Sequence, residues 1–178
     1  AAEAAALGVK GVTRSSGAGA SRGEVGFVLV TSDGFSGGYR RSYSSVSVSV
    51  VAGEGAGMQR DHDYDARAHD GDLDSPAEIG RKAGERAAAR LSPRQVPTRR
   101  NAAVIFEPRL AASMIGSLAG AITGSSVARK TSFLRDRLGK PVLKAGLNLV
   151  DDPSIRRGAG SQPFDGEGVA SERLGMVE

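Results

Sequence analysis

Residues 36–51 read SGGYRRSYSSVSVSVV. Val46, Val48 and Val50 alternate there with Ser45, Ser47 and Ser49, and Tyr39 and Tyr43 precede them. A period of two sends successive side chains to opposite faces of an extended chain, which predicts a strand with one buried and one wet face. Such strands belong to antiparallel sheets, because parallel strands are covered on both faces and carry near-continuous apolar runs. The flanks agree. Residues 24–31 are rich in Val and Phe and predict a strand, and Ser32-Asp33-Gly34 follows as a hairpin turn. The glycines of 53–57 are expected to kink or bulge the second strand, and residues 58–69 to resume as a third. The expectation is a three-stranded meander over 24–69. Upstream, 12–14 reads as an edge strand, and the rest of 1–23, with its run of Ser, Gly and Ala, as loop or bulge.

After the meander, Ser75-Pro76-Ala77-Glu78 carries an N-cap, a proline at the first helical position and a capping-box glutamate. The helix predicted from there runs to Leu91. Ile79, Ala83, Ala87 and Leu91 share its apolar face, and Arg81, Lys82, Glu85, Arg86 and Arg90 form its outer face. Ser92-Pro93 ends it, and a domain boundary is placed between 97 and 98. Beyond it the expected order is a strand over 102–106, a helix from Pro108 to about Gly124, a short helix over 132–138 and a strand within 141–150. A long loop, a rigid acidic turn over 164–168 and a strand from Leu174 to Glu178 follow. That last strand is read as stopping before its partner. The fold class is α+β: an antiparallel β-meander with a capped helix (1–97), then a strand–helix–helix–strand segment of a second domain (98–178).

Composition narrows the function. The chain has 178 residues, no Cys, 25 Gly and 4% aromatics. Disulfides and thiolate metal sites are excluded, no segment is apolar and long enough to span a membrane, and the Gly content favours close backbone packing. The N-terminus AAEAAALGVK lacks the basic and apolar regions of a secretory signal. It also lacks an initiator Met, as a chain starting inside a longer gene product would. Cytoplasmic localisation is expected. The formal charge of +4 is spread in short doublets such as Arg40–Arg41 and Arg129–Lys130, which reads as an ordinary solvated surface; binding to nucleic acid is the sharper alternative.

Few residues offer chemistry. Asp61, His62 and His69 are the candidates for a metal, within the cluster Asp61-His62-Asp63-Tyr64-Asp65. On a strand the three carboxylates share one face and His62 and Tyr64 the other. The alternative is a polar edge strand whose charges discourage aggregation. The EF-hand spacing is absent, the glycine-rich stretches lack a GK[ST] ending, and no G-x-S-x-G elbow occurs. The helix after Pro108 carries a row of small residues, Ala112, Gly116, Gly120 and Gly124, at four-residue spacing. That row lies on one face and predicts close packing against another element.

Five strings occur in order: GFVLVTSDGFSGGYRRSYSSVSVSVVAGEGAGMQRDHDYD (26–65), SPAEIGRKAGERAAARLSPRQVPTRRNAAVIFEPR (75–109), SSVARKTSFLRDRLGKPV (125–142), VDDP (150–153) and FDGEGVASERL (164–174). Together they resemble the TldD/PmbA family, the "modulator of DNA gyrase" proteins, better described as metalloprotease subunits. The resemblance covers nearly all of this chain but less than half of a usual member. In the TldD branch a helical HExxxH motif supplies two zinc-binding His and a general-base Glu. Set against that motif, the HE pair falls near Ile115 and Gly116 and the last His near Gly120. None of these residues binds zinc or moves a proton. The resemblance is therefore to the PmbA (TldE) branch. It implies a non-catalytic subunit without its own cofactor, a TldD-like partner carrying zinc, a peptide substrate and a role in peptide processing or degradation. The alternative is a regulatory module acting on DNA gyrase or nucleic acid. Exposed strand edges also predict self-association of this length of chain.

Overall fold

The computed structural model describes residues 1–177. The meander is present and longer than predicted: β1 (Val12–Val30), β2 (Ser36–Ala52) and β3 (Gln59–Arg67) form an antiparallel sheet in the order β1-β2-β3. β1 is one strand of 19 residues, so the predicted loop over its middle is corrected. Its run of Ser, Gly and Ala has little strand preference of its own. It is held by pairing with β2, in which Gly19 faces Ser47, Ser21 faces Ser45 and Gly17 faces Ser49. The irregularities are confined to register shifts between Val12 and Arg14 and between Ser15 and Gly17. Thr31 and Phe35 close the β1–β2 turn, and Gly34 takes φ 99° there. The glycines of 53–57 are the link between β2 and β3, a 3-10 turn over Gly55–Gly57, where a kink within β2 was expected.

Sequence reading misses α1 (Ala2–Leu7). A six-residue Ala-rich helix is far too short to stand alone in water. It persists because Ala2 and Ala6, four apart, are buried on α2 (Pro76–Ala89). Ser75 caps α2 by accepting the amide of Glu78 at 3.2 Å. The Glu78 carboxylate turns to Lys82 at 3.3 Å. The core gathers Val48, Val50 and Ala52 from β2, Ile79, Ala83 and Ala87 from α2, and Ala2 and Ala6 from α1. Leu91 lies just past the end of α2 and packs against this cluster.

The chain divides spatially into two compact units. One compact unit comprises residues 1–95 and 153–172; the other comprises 96–152 together with β5 (Leu174–Val177). In the first, Phe164 sits among Phe35, Tyr39 and Phe27, with ring centroids 5.0, 5.4 and 6.2 Å apart. The acidic turn takes its predicted place: the Asp165 carboxylate accepts the amides of Glu167 and Val169 at 2.9 Å.

In the second unit, α3 (Pro108–Ile122) begins at its proline as expected but breaks at Thr123, and Gly124 opens α4 (Gly124–Ala128). Four other expectations are corrected. Residues 102–106 form no strand; they find no partner strand, and Ile105 is 97% exposed. Residues 132–138 are successive turns. The hydroxyl of buried Ser132 donates to the Ala121 carbonyl at 2.6 Å and accepts the Leu134 amide, which diverts this short segment from helix. The strand within 141–150 shrinks to β4 (Leu149–Asp151), and its partner is β5, so β5 does not stop short of one. Glu178, placed by the sequence in that strand, lies outside the described residues. No helix of the described residues is long and apolar enough to cross a membrane.

Candidate functional site

The carboxylate row of β3 does share a face, and the register decides which. Val46 faces Asp65, Val48 faces Asp63 and Val50 faces Asp61, so the carboxylates point to the side that α2 covers. Burying a carboxylate there is unfavourable unless it is paired and hydrogen-bonded. Asp61, only 4% exposed, lies 3.4 Å from Arg90 and accepts the His62 amide at 2.8 Å. Asp63 holds Arg86 at 2.5 Å. Two residues along a strand advance about 6.6 Å and four along a helix about 6 Å, so Asp63 and Asp61 meet Arg86 and Arg90 rung for rung. These arginines, read from sequence as solvated, fasten the helix to the sheet edge.

Asp65 continues the row. Burial pushes its pKa up, but the Asp74 amide at 2.8 Å, the Arg67 guanidinium and the Ala66 amide outweigh burial and hold it below its ordinary 3.8. A carboxylate whose folded pKa is depressed stabilises the fold above its unfolded pKa, and that contribution is lost as the pH falls through the folded value. Stability is therefore expected to drop on acidification below pH 3.8. Asp65→Asn should flatten that acid limb in urea titrations at stepped pH; an unchanged acid limb would refute the assignment.

The metal candidates do not converge. His62 points to the opposite face with Tyr64, their rings stacked with centroids 6.4 Å apart. His69 lies beyond the strand end, and its Nδ1 accepts the Gly71 amide at 3.1 Å. Asp61 is engaged by Arg90. Among the described residues no group of three or more such side chains is placed to hold a metal ion.

The residues that the sequence reading sets against HExxxH lie on α3. Ile115 is 47% exposed, and Gly116 and Gly120 offer no side chain. The donor chemistry that zinc needs is absent at these positions, so the residues present do not fit the metal. The glycines of the small-residue row meet nothing within the described chain. A Cβ built at Gly116, Gly120 or Gly124 has no atom within 4 Å. Close approach occurs instead at Gly80 and Gly84 of α2, where a Cβ would lie 2.0 Å from the Ala2 carbonyl oxygen and 2.9 Å from that of Ala6. The Gly80–Gly84 spacing in GRKAGERAAA carries the same signal as the row on α3.

Two hollows remain. One of 590 Å³ lies between the end of β3 and the 155–159 turn, crossed by an Arg157–Asp72 ion pair at 2.9 Å. The other, of 670 Å³, lies in the second unit beside β5.

Known proteins resemble this chain along its whole length. The central-domain model of the PmbA/TldA metallopeptidases matches residues 1–91 and their C-terminal-domain model residues 99–178. Metalloprotease PmbA of Escherichia coli O157:H7 is 39% identical over 151 residues, which cover 85% of this chain and 33% of that protein. The PmbA homologue of Haemophilus influenzae is 36% identical over 140 residues, 79% and 31% of the two chains. The chain thus spans about a third of these relatives. A crystal structure from Bacteroides thetaiotaomicron, named as a candidate modulator of DNA gyrase, superposes with a TM-score of 0.86 at 26% identity, over 99% of this chain and 40% of that one. A second, from Thermotoga maritima and similarly named, shares the fold with a TM-score of 0.83 at 21% identity, over 99% and 41% of the chains.

Proposed function

The chain belongs to the PmbA/TldD metallopeptidase family, and on that premise we propose that it is part of a non-catalytic, PmbA-type subunit that works with a zinc-bearing, TldD-type partner in peptide processing. The reading is supported by setting α3 against the metal-binding motif, which puts Ile115, Gly116 and Gly120 at its places, and these supply neither ligand nor general base. Asp61 is engaged by Arg90, and His62 and His69 do not join it, which supports the same view. In this reading zinc and hydrolysis belong to the partner. This subunit helps to shape the cavity in which an unfolded peptide lies.

The test measures zinc content and hydrolysis of an unfolded peptide for the full-length protein alone, for the partner alone and for the mixture. Zinc should travel with the partner, and hydrolysis should require the mixture. Stoichiometric zinc with activity in this protein alone would overturn the reading. A regulatory role at DNA gyrase is the second reading, favoured by the name of the Bacteroides thetaiotaomicron structure. It requires salt-steep DNA binding by this protein.

A further inference from the structure

The positive charge of the chain is not evenly spread in the second unit. Between Arg129 and Lys144 stand six cations, Arg129, Lys130, Arg135, Arg137, Lys140 and Lys144, against one carboxylate, Asp136. Arg135 pairs with Asp136 at 3.2 Å, but both are exposed and water screens them. Arg137 and Lys140 have no ion pair among the described residues. They are fixed by successive turns, Arg137 N–H to the Leu134 carbonyl and Lys140 N–H to the Arg137 carbonyl, both 2.9 Å, with Gly139 at φ 70° between them. The 670 Å³ hollow opens at this segment. Its apolar wall comprises Ile122, Leu134, Leu138, Val142 and Met176, and Arg135, Arg137 and Lys140 rim it. Leu138 is 96% exposed.

We infer that this groove binds a peptide segment carrying both carboxylate and aliphatic side chains. The rim supplies complementary charge that steers and orients the peptide, and the apolar wall supplies the burial that gives affinity. A nucleic acid strand would use the cations but would find neither a stacking ring on the wall nor a use for Leu138. The inference rests on the peptide-handling reading and deepens it by naming a peptide class.

Fluorescence anisotropy of the full-length protein, without partner or zinc, tests it. The probes are a labelled Glu/Leu/Ser peptide, its Lys-for-Glu counterpart and a single-stranded DNA oligonucleotide. The acidic peptide should bind and the basic one should not. Arg137→Glu with Lys140→Glu should weaken acidic binding about tenfold or more and flatten its salt dependence, whereas Leu138→Ser should weaken it with the salt slope kept. Arg137→Gln with Lys140→Gln serves as a gentler pair should charge reversal impair folding. Equal binding of the two peptides, affinity unmoved by these variants, or tighter DNA binding indifferent to Leu138 would overturn the inference. Because no hydrolysis is read, the groove can fail while the subunit reading stands, and the reverse.

Discussion

Gly80→Ala is expected to destabilise the protein by about 3 kcal/mol, against the ordinary rule that Ala in place of a helical Gly gains up to about 1 kcal/mol. The reason lies in the neighbour. A Cβ on Gly80 would sit 2.0 Å from the Ala2 carbonyl oxygen and 3.1 Å from its Cα. Those are backbone atoms of α1, and no rotamer change moves them aside. The first helix has to lift, which exposes Ala2 and Ala6 and uncovers the side of Ile79 and Ala83 that shares their cluster. Gly84 guards the same seam, where a Cβ would lie 2.7 Å from Val9 Cγ2. Urea denaturation gives the magnitude, and amide exchange in 2–7 shows whether α1 has come loose. Gly116→Ala is the control. Nothing stands within 4 Å of its Cβ, so it should be neutral or stabilising. Equal effects at the two glycines would sink this account of the α1–α2 seam.

That contrast marks where sequence reading succeeds. β2 was legible because a two-residue period is local, and so was the start of α2, whose cap and proline act within four residues of each other. β1 and α1 were hidden because their stability is borrowed. The stretch RSSGAGASRG is extended only because β2 lies beside it, and AEAAAL is helical only because Gly80 and Gly84 let it approach. Small residues at four-residue spacing occur on both α2 and α3, and only the three-dimensional partner tells them apart. The carboxylate row was placed on one face correctly. Its meaning depended on the register with the valines of β2, which turns Asp61 and Asp63 toward Arg90 and Arg86. The family resemblance was legible because ordered motifs survive where the energetics of single elements do not show.

Phe164→Ala is the second large effect, and its signature is local. The last β3 residue paired with β2 is Arg67, opposite Ser44, so 23–30 and 36–43 run on as a two-stranded ribbon. Such a ribbon is marginal in water without a covered face. Phe164 provides that cover. It is 8% exposed, edge-on to Phe35 and Tyr39, and a Cβ at Gly37 would lie 3.0 Å from its ring. Four of the eight aromatic rings of the chain meet here. Removing a buried Phe costs about 3–5 kcal/mol, edge-on ring contacts included. That cost should fall on the ribbon and the 164–170 turn, because α1, α2 and the second half of β2 have their own core. Amide exchange should therefore quicken in 25–41 and 164–170 while 48–52 and 79–87 keep their protection. Phe164→Leu, which retains most of the apolar volume, should restore the greater part of it. Uniform loss of protection across the unit would show that the ribbon and core unfold as one, and no loss at all would show that the ribbon stands without its cap.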